Sequence, residues 1–246
     1  MEEAVNLDRL TAVDAITTWV VRRAWPPRCL LCGAPGISGR DLCAGCLADL
    51  TVNASGCARC ALPLEVRAPS CGECLASEPP FATTWAPFCY AHPLDLLEAR
   101  FKFHADLAAG RVLASLMIDR LEADAPARPQ LIVPVPLHRA RLGQRGYNQA
   151  LELARPLARA SGIPLRHDLL RRVRATPAQT GLDAGARRRN LRAAFELAKD
   201  ARLPEHVVLF DDVMTTGATL REAATVLRRH GVARVDAWVL ARAPAR

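Results

Sequence analysis

Four Cys-x-x-Cys pairs constrain this chain more than any other feature in it. Cys29 and Cys32, Cys43 and Cys46, Cys57 and Cys60, and Cys71 and Cys74 recur with a period of 14, so ten residues separate each pair from the next. A Cys-x-x-Cys turn presents two thiolates at one corner, and two corners complete the tetrahedral four-sulfur site that zinc favours. Eight cysteines therefore make two sites. The simplest pairing is sequential, with Cys29, Cys32, Cys43 and Cys46 around one ion and Cys57, Cys60, Cys71 and Cys74 around the other; spacing alone also admits an interleaved pairing. An iron–sulfur cluster is the competing centre. A thioredoxin-like redox pair is disfavoured, because that chemistry takes one Cys-x-x-Cys on a βαβ unit. Closed four-sulfur sites generally hold together a segment too small to fold alone, so scaffolding is expected ahead of direct recognition. Cys89 lies outside the pattern and is expected to be a small buried hydrophobe.

Half of the 246 residues are hydrophobic, which excludes global disorder and leaves room for one medium domain beside the cysteine module. The net charge of +8 is unevenly spread. Residues 1–100 carry 8 Lys and Arg against 11 Asp and Glu, and residues 101–246 carry 25 against 14, so the basic character belongs to the second half. That half suits a phosphate-rich partner, either a sugar phosphate or a nucleic acid; a solvated basic surface is the bland alternative. The acidic start Met-Glu-Glu has no basic stretch before an apolar one, so a secretory signal is not expected. No run approaches the roughly 18–20 apolar residues of a membrane span, so membrane insertion is not expected either. A cytoplasmic, reducing location follows as the expectation, and it disfavours structural disulfides.

The pattern divides the chain into a helical segment over 1–24, a double zinc ribbon over 25–80 and an α/β domain over 81–246. Pro79-Pro80 marks the second boundary. Residues 93–120 show helical spacing, and Asp124–Pro129 reads as a loop. Short apolar runs at Leu131–Val135, Val207–Phe210 and Val235–Leu240 predict buried strands. Helices are predicted over Gln149–Ala160, with Pro156 kinking it, and over Leu220–His230, stopped by Gly231. Strands alternating with helices imply a mostly parallel sheet with helices on both faces.

The segment from Val207 to Leu220 is the most informative in chemical content. Four apolar residues form a strand, Asp211 and Asp212 stand at its carboxyl end, and Thr215, Thr216, Gly217, Ala218 and Thr219 lead into a helix. Open α/β sheets place ligands at strand carboxyl ends. Backbone N–H groups of the loop and the helix N-terminus favour a phosphate, while the carboxylates suit sugar hydroxyls, which donate to them. Phosphate at one end and a diol at the other describe a ribose 5-phosphate. A plain strand–turn–helix with an acidic pair is the alternative. No G-x-G-x-x-G follows a strand and no G-K-[ST] is present, so the dinucleotide and Walker phosphate loops are excluded. A loop over Pro136–Arg145 offers Arg139, Arg141 and Arg145 to a pyrophosphate. Residues 171–192 hold a further arginine cluster, expected to be a mobile basic loop. Lys102 and His104 rank lower, as ordinary exposed helix positions.

These stretches together resemble the ComF family, the competence-protein group that joins a double zinc ribbon to a type I phosphoribosyltransferase domain. The resemblance covers about residues 25–245. It rests on the cysteine repeat; on Phe101-Lys102-Phe103-His104-Ala105-Asp106; on Val133-Pro134-Val135-Pro136 through Arg141, Arg145, Gly146, Tyr147, Asn148 and Gln149; on Gln179, Arg187, Asn190 and Phe195; and on the Asp-Asp-x-x-Thr-Thr-Gly segment. It implies binding of 5-phosphoribosyl 1-pyrophosphate (PRPP) with Mg²⁺ by Asp211, Asp212 and Thr215 to Thr219, and phosphoribosyl transfer as the activity. It also implies single-stranded DNA and other competence proteins as partners during natural transformation. The expected alternative is a nucleic-acid-binding or adaptor protein that keeps the fold without transferase activity. No residue suggests the acceptor.

Overall fold

The computed structural model describes residues 26–66, 68–124, 126–174, 194–199 and 201–245. The expected helix over 1–24 and the arginines at 187, 188, 189 and 192 lie outside them, as do Gln179 and Asn190. The described chain divides into two compact units, one ending at Asp49 and the other starting at Leu50.

In the first unit Cys43 is the N-cap of a short helix, α1 (Ala44–Ala48). The second unit repeats this arrangement: Cys71 precedes α2 (Gly72–Ala76). The period of 14 in sequence thus folds as a period of 28, a tight turn followed by a short helix. Gly33 and Ala61, 28 residues apart, close the two turns by donating to the carbonyls of Cys29 and Cys57 at 2.8 and 2.7 Å. Both take left-handed backbone, with φ of 77° and 55°.

The rest of the second unit is a parallel sheet. Its strands are β1 (Thr84–Trp85), β2 (Phe88–Cys89), β3 (Leu131–Pro134), β6 (His206–Met214) and β7 (Arg234–Arg242), in the order β1-β7-β6-β3, with β2 also pairing β7. All pair in parallel. A separate antiparallel hairpin joins β4 (Leu170–Arg172) to β5 (Phe195–Leu197). The strands read as unbroken apolar runs because both faces are covered. Leu131, Val133, Val207, Leu209, Val235, Ala237 and Val239 form one cluster with α7 (Ala218–Arg229) and with the cysteines of the second ribbon. Their neighbours Ile132, Val208, Phe210, Trp238 and Leu240 are equally buried and outside that cluster. Alternation puts them on the opposite face, which α6 (Gln149–Ser161) covers.

Three sequence expectations need adjusting. The helical spacing over 93–120 resolves into α3 (Leu94–Phe103) and α4 (Leu107–Asp124). The break falls where Ala105 takes φ of 52° and Asp106 caps α4, accepting from the Ala108 and Ala109 amides at 3.0 and 3.1 Å. Helix α4 also runs on to Asp124, where a loop was expected to begin. Finally, Pro136–Arg145 is not all loop: α5 (Arg139–Arg145) occupies most of it. Gly146, at φ 79°, ends that helix.

Candidate functional site

Strand β6 outruns its neighbour. The last β3 pairing is Pro134 with Phe210, whereas pairing to β7 continues to Met214. Asp211 and Asp212 therefore stand where β3 leaves the sheet, at its carboxyl edge. The loop Thr215–Gly217 follows at once and turns into α7. Gly217, at φ 70°, is the N-cap of that helix. No side chain of the cap bonds the first turn, which contains no acidic residue. Thr216 Oγ1 accepts from the Ala218 amide at 3.4 Å. Thr215 is exposed, Thr216 and Thr219 are half-buried, and Ala218 is buried.

The two carboxylates differ. Asp212 is buried and pairs with Lys102, Nζ to Oδ2 3.0 Å. Lys102 also reaches Glu98 at 2.6 Å, and Glu98 is 1% exposed. Burial works against the Lys102 charge, but Asp212 and Glu98 outweigh it and raise the amine above its ordinary value. Burial and the charge of Asp212 raise Glu98, which Lys102 opposes. Asp211 accepts from the Asp212 amide at 3.0 Å. Burial by the surrounding protein, reinforced by Asp212, pushes its carboxyl from 3.8 up to about 8; the Lys102 and Arg172 charges only partly offset this.

Further cations lie beyond Lys102: Arg172 acts on Asp211, Arg141 on Arg172 and Arg145 on Glu98. Arg141 and Arg145 are four residues apart on α5 and share a face; burial and Arg145 hold Arg141 below its ordinary value. Arg172 on β4 is buried, and burial and Arg141 lower it while Asp211 supports its charge. Arg139 is exposed and two positions from Arg141, about 200° around the helix, so it faces away from that cluster. The Gly146-Tyr147-Asn148-Gln149 stretch aims α5. Tyr147 bonds the Phe101 carbonyl. Asn148 caps α6 and donates to the Val135 carbonyl at 3.0 Å. Arg145 donates to buried Gln149 at 3.1 Å and lies over the Phe103 ring at 5.6 Å.

Lys102 was ranked low from sequence, and the structure sets it on Asp212. Arg172 was expected in a mobile basic loop over 171–192, and the structure instead buries it in β4; Glu98 was not singled out. A charged residue among apolar helix positions, as in Leu97-Glu98-Ala99, was the available signal for Glu98.

The cysteines group as two fours, Cys29, Cys32, Cys43 and Cys46 in one and Cys57, Cys60, Cys71 and Cys74 in the other. The pairing is thus sequential. All sulfurs in a group lie within 4.8 Å of one another, and the closest facing pairs, Cys32 to Cys43 and Cys60 to Cys71, stand at 3.6 Å. Four sulfurs at about 2.3 Å from one centre would sit about 3.8 Å apart, so the donor sets fit zinc. Burial opposes ionisation of Cys29 and Cys57, yet backbone N–H groups outweigh it and bring their thiols down to about 6 and about 7. Cys89 is half-buried, and burial raises its thiol.

Two four-cysteine ribbon sites and a parallel sheet with an acidic pair at its carboxyl edge define a double-zinc-ribbon protein with a type I phosphoribosyltransferase-like domain. Family profiles agree: the double zinc ribbon domain matches residues 20–75 and the phosphoribosyl transferase domain residues 148–246. Competence protein F of Haemophilus influenzae is 42% identical over 160 residues, 63% of this chain and 70% of the relative. DNA utilization protein YhgH of Salmonella typhi is 37% identical over 226 residues, 88% of this chain and 97% of the relative. Competence protein ComFC of Bacillus subtilis is 30% identical over 145 residues, 58% of each. The chain belongs to this competence protein F and YhgH family.

Proposed function

We propose that the domain binds PRPP or a related ribose phosphate and transfers its phosphoribosyl group as part of the handling of single-stranded DNA; relatives named for competence and DNA utilization support the link to DNA. The observation that carries the reading is the half-open Asp211 carboxylate beside a threonine- and glycine-rich loop that opens α7. The phosphate would take the loop and first-turn N–H groups. The ribose hydroxyls would donate to Asp211, and Asp212 would act through its pair with Lys102. Arg141, Arg145 and Arg172 suit the pyrophosphate. Among the described residues the only groupings of three or more metal ligands are the two cysteine fours, so Mg²⁺ would arrive on the ligand's own oxygens and supply charge neutralisation there. Single-stranded DNA would be held by the basic second half, including the arginines at 187, 188 and 189, with a steep salt dependence. A zinc-ribbon module over 25–80, a transferase domain over 81–246 and a cytoplasmic location complete the proposal.

Calorimetric titration tests it. PRPP with Mg²⁺ should bind wild type, and Asp211→Ala should lose about ten- to a hundredfold in affinity, one charged hydrogen bond. No binding at millimolar PRPP favours the adaptor reading. Replacing arginines 187 to 189 with Ala should flatten the salt slope of DNA binding; an unchanged slope would move that role away from these arginines.

A further inference from the structure

Arg242, the last residue of β7, is 3% exposed. Among the described residues its guanidinium hydrogen-bonds backbone carbonyls alone: Nε donates to Cys60 at 3.0 Å, and Nη1 to Met214 at 3.1 Å, Ala243 at 2.6 Å and Thr215. No carboxylate among the described residues forms an ion pair with it. A buried guanidinium without negative charge nearby is strongly unfavourable, and carbonyl dipoles balance it only in part. The residue that accepts from Nε can supply the missing charge. Cys60 belongs to the second cysteine group, and a zinc ion held by four thiolates keeps roughly two negative charges. The other acceptors, Met214 and Thr215, open the loop that enters α7. One cation thus spans the second ribbon and the candidate phosphate loop.

We infer that Arg242 is a positioning residue that couples zinc in the Cys57, Cys60, Cys71 and Cys74 site to the conformation of the Thr215–Gly217 loop and the first turn of α7, and through them to anion affinity. The affinity half rests on the ribose-phosphate reading above. With zinc bound, the turn carrying the Cys60 carbonyl is fixed and the anionic centre holds the guanidinium in place. With zinc lost, Arg242 loses an anchored acceptor and its charge balance, and the Met214 and Thr215 carbonyls lose their donor. Coupling is reciprocal, so PRPP must tighten the binding of one zinc ion of the two.

Hydrogen–deuterium exchange on the full chain reads the loop without any ligand. Cys74→Ser and Arg242→Met should each speed exchange over 214–219 by about tenfold. Arg242→Lys, which keeps charge but not the spread of donors, should fall between. Cys46→Ser, in the other compact unit, should leave those amides unchanged. PRPP affinity by calorimetry should fall about tenfold in the same two variants. If Arg242→Met does not fold, Cys74→Ser against Cys46→Ser decides. Unchanged exchange with native PRPP binding overturns the coupling and leaves the ribose-phosphate reading standing. Faster exchange in a protein whose wild type binds no PRPP overturns that reading and the affinity half, while the conformational link holds.

Discussion

Asp211 makes the sharpest residue-level forecast because two of its properties run in opposite directions with pH. Its folded pKa of about 8 lies above the ordinary 3.8, so between those values the native state holds a proton the unfolded chain has released. Its contribution to stability is complete below about pH 4 and is lost as pH rises through about 8. Asp211→Asn should therefore melt higher than wild type at pH 8, with the gap closing towards pH 5. The ligand needs the ionised acceptor, so PRPP affinity should rise from pH 6 to 8 in wild type and lose that dependence in Asp211→Asn. Thermal melts and titrations across that range check both signs. Asp212 behaves otherwise: Asp212→Ala leaves Lys102 beside Glu98 with one partner gone and should cost about 1–3 kcal/mol of stability as well as affinity. The acidic pair is legible in the sequence as a pair of equivalent residues, and the structure makes them different. What separates them is Lys102, which pairs with Asp212 from 110 positions away in the chain, and no local pattern encodes that meeting. Ala61 offers a simpler test. It holds the left-handed conformation that Gly33 supplies in the first ribbon, so Ala61→Gly should stabilise the second unit by about 1 kcal/mol in denaturant melts.

Among the elements, what periodicity and punctuation encode was legible. The three buried strands and the helices closed by Gly162 and Gly231 follow from apolar runs and glycines at positive φ. Helix α7 ends within a residue of its expected stop. The break between α3 and α4 was not legible. His104-Ala105-Asp106 contains neither glycine nor proline, and the turn depends on Asp106 pairing with Arg100 at 2.8 Å while capping α4. Helix α5 was hidden for a similar reason: its arginines suggested a ligand loop, and its seven residues show no apolar stripe. The loop before α7 admits a direct test. A side chain at Gly217 would collide with the Met214 side chain, and its φ of 70° disfavours a β-branched residue. Gly217→Val should abolish detectable PRPP binding, whereas Thr216→Ala, which leaves the backbone donors in place, should lose less than tenfold.

At the scale of the molecule, the two ribbons are alike in sequence and unlike in setting. The second shares its core with the sheet and α7, and the first lies in a separate unit. Purified protein should hold close to two zinc ions per chain by elemental analysis. Cys74→Ser should lower the main calorimetric transition by several degrees, and Cys46→Ser should leave it in place; iron with sulfide would refute the zinc assignment. The strand order carries a further consequence, for synthesis. Strand β7 is the last of the described strands to be made, yet it lies between β1 and β6 in the sheet. About 160 residues separate Cys74 from β7, roughly 8–30 s of translation at ordinary elongation rates. Over that interval the second ribbon waits outside the ribosome without the strand that bears Arg242, and its thiolates must find metal or stay reduced before the sheet exists to shelter them.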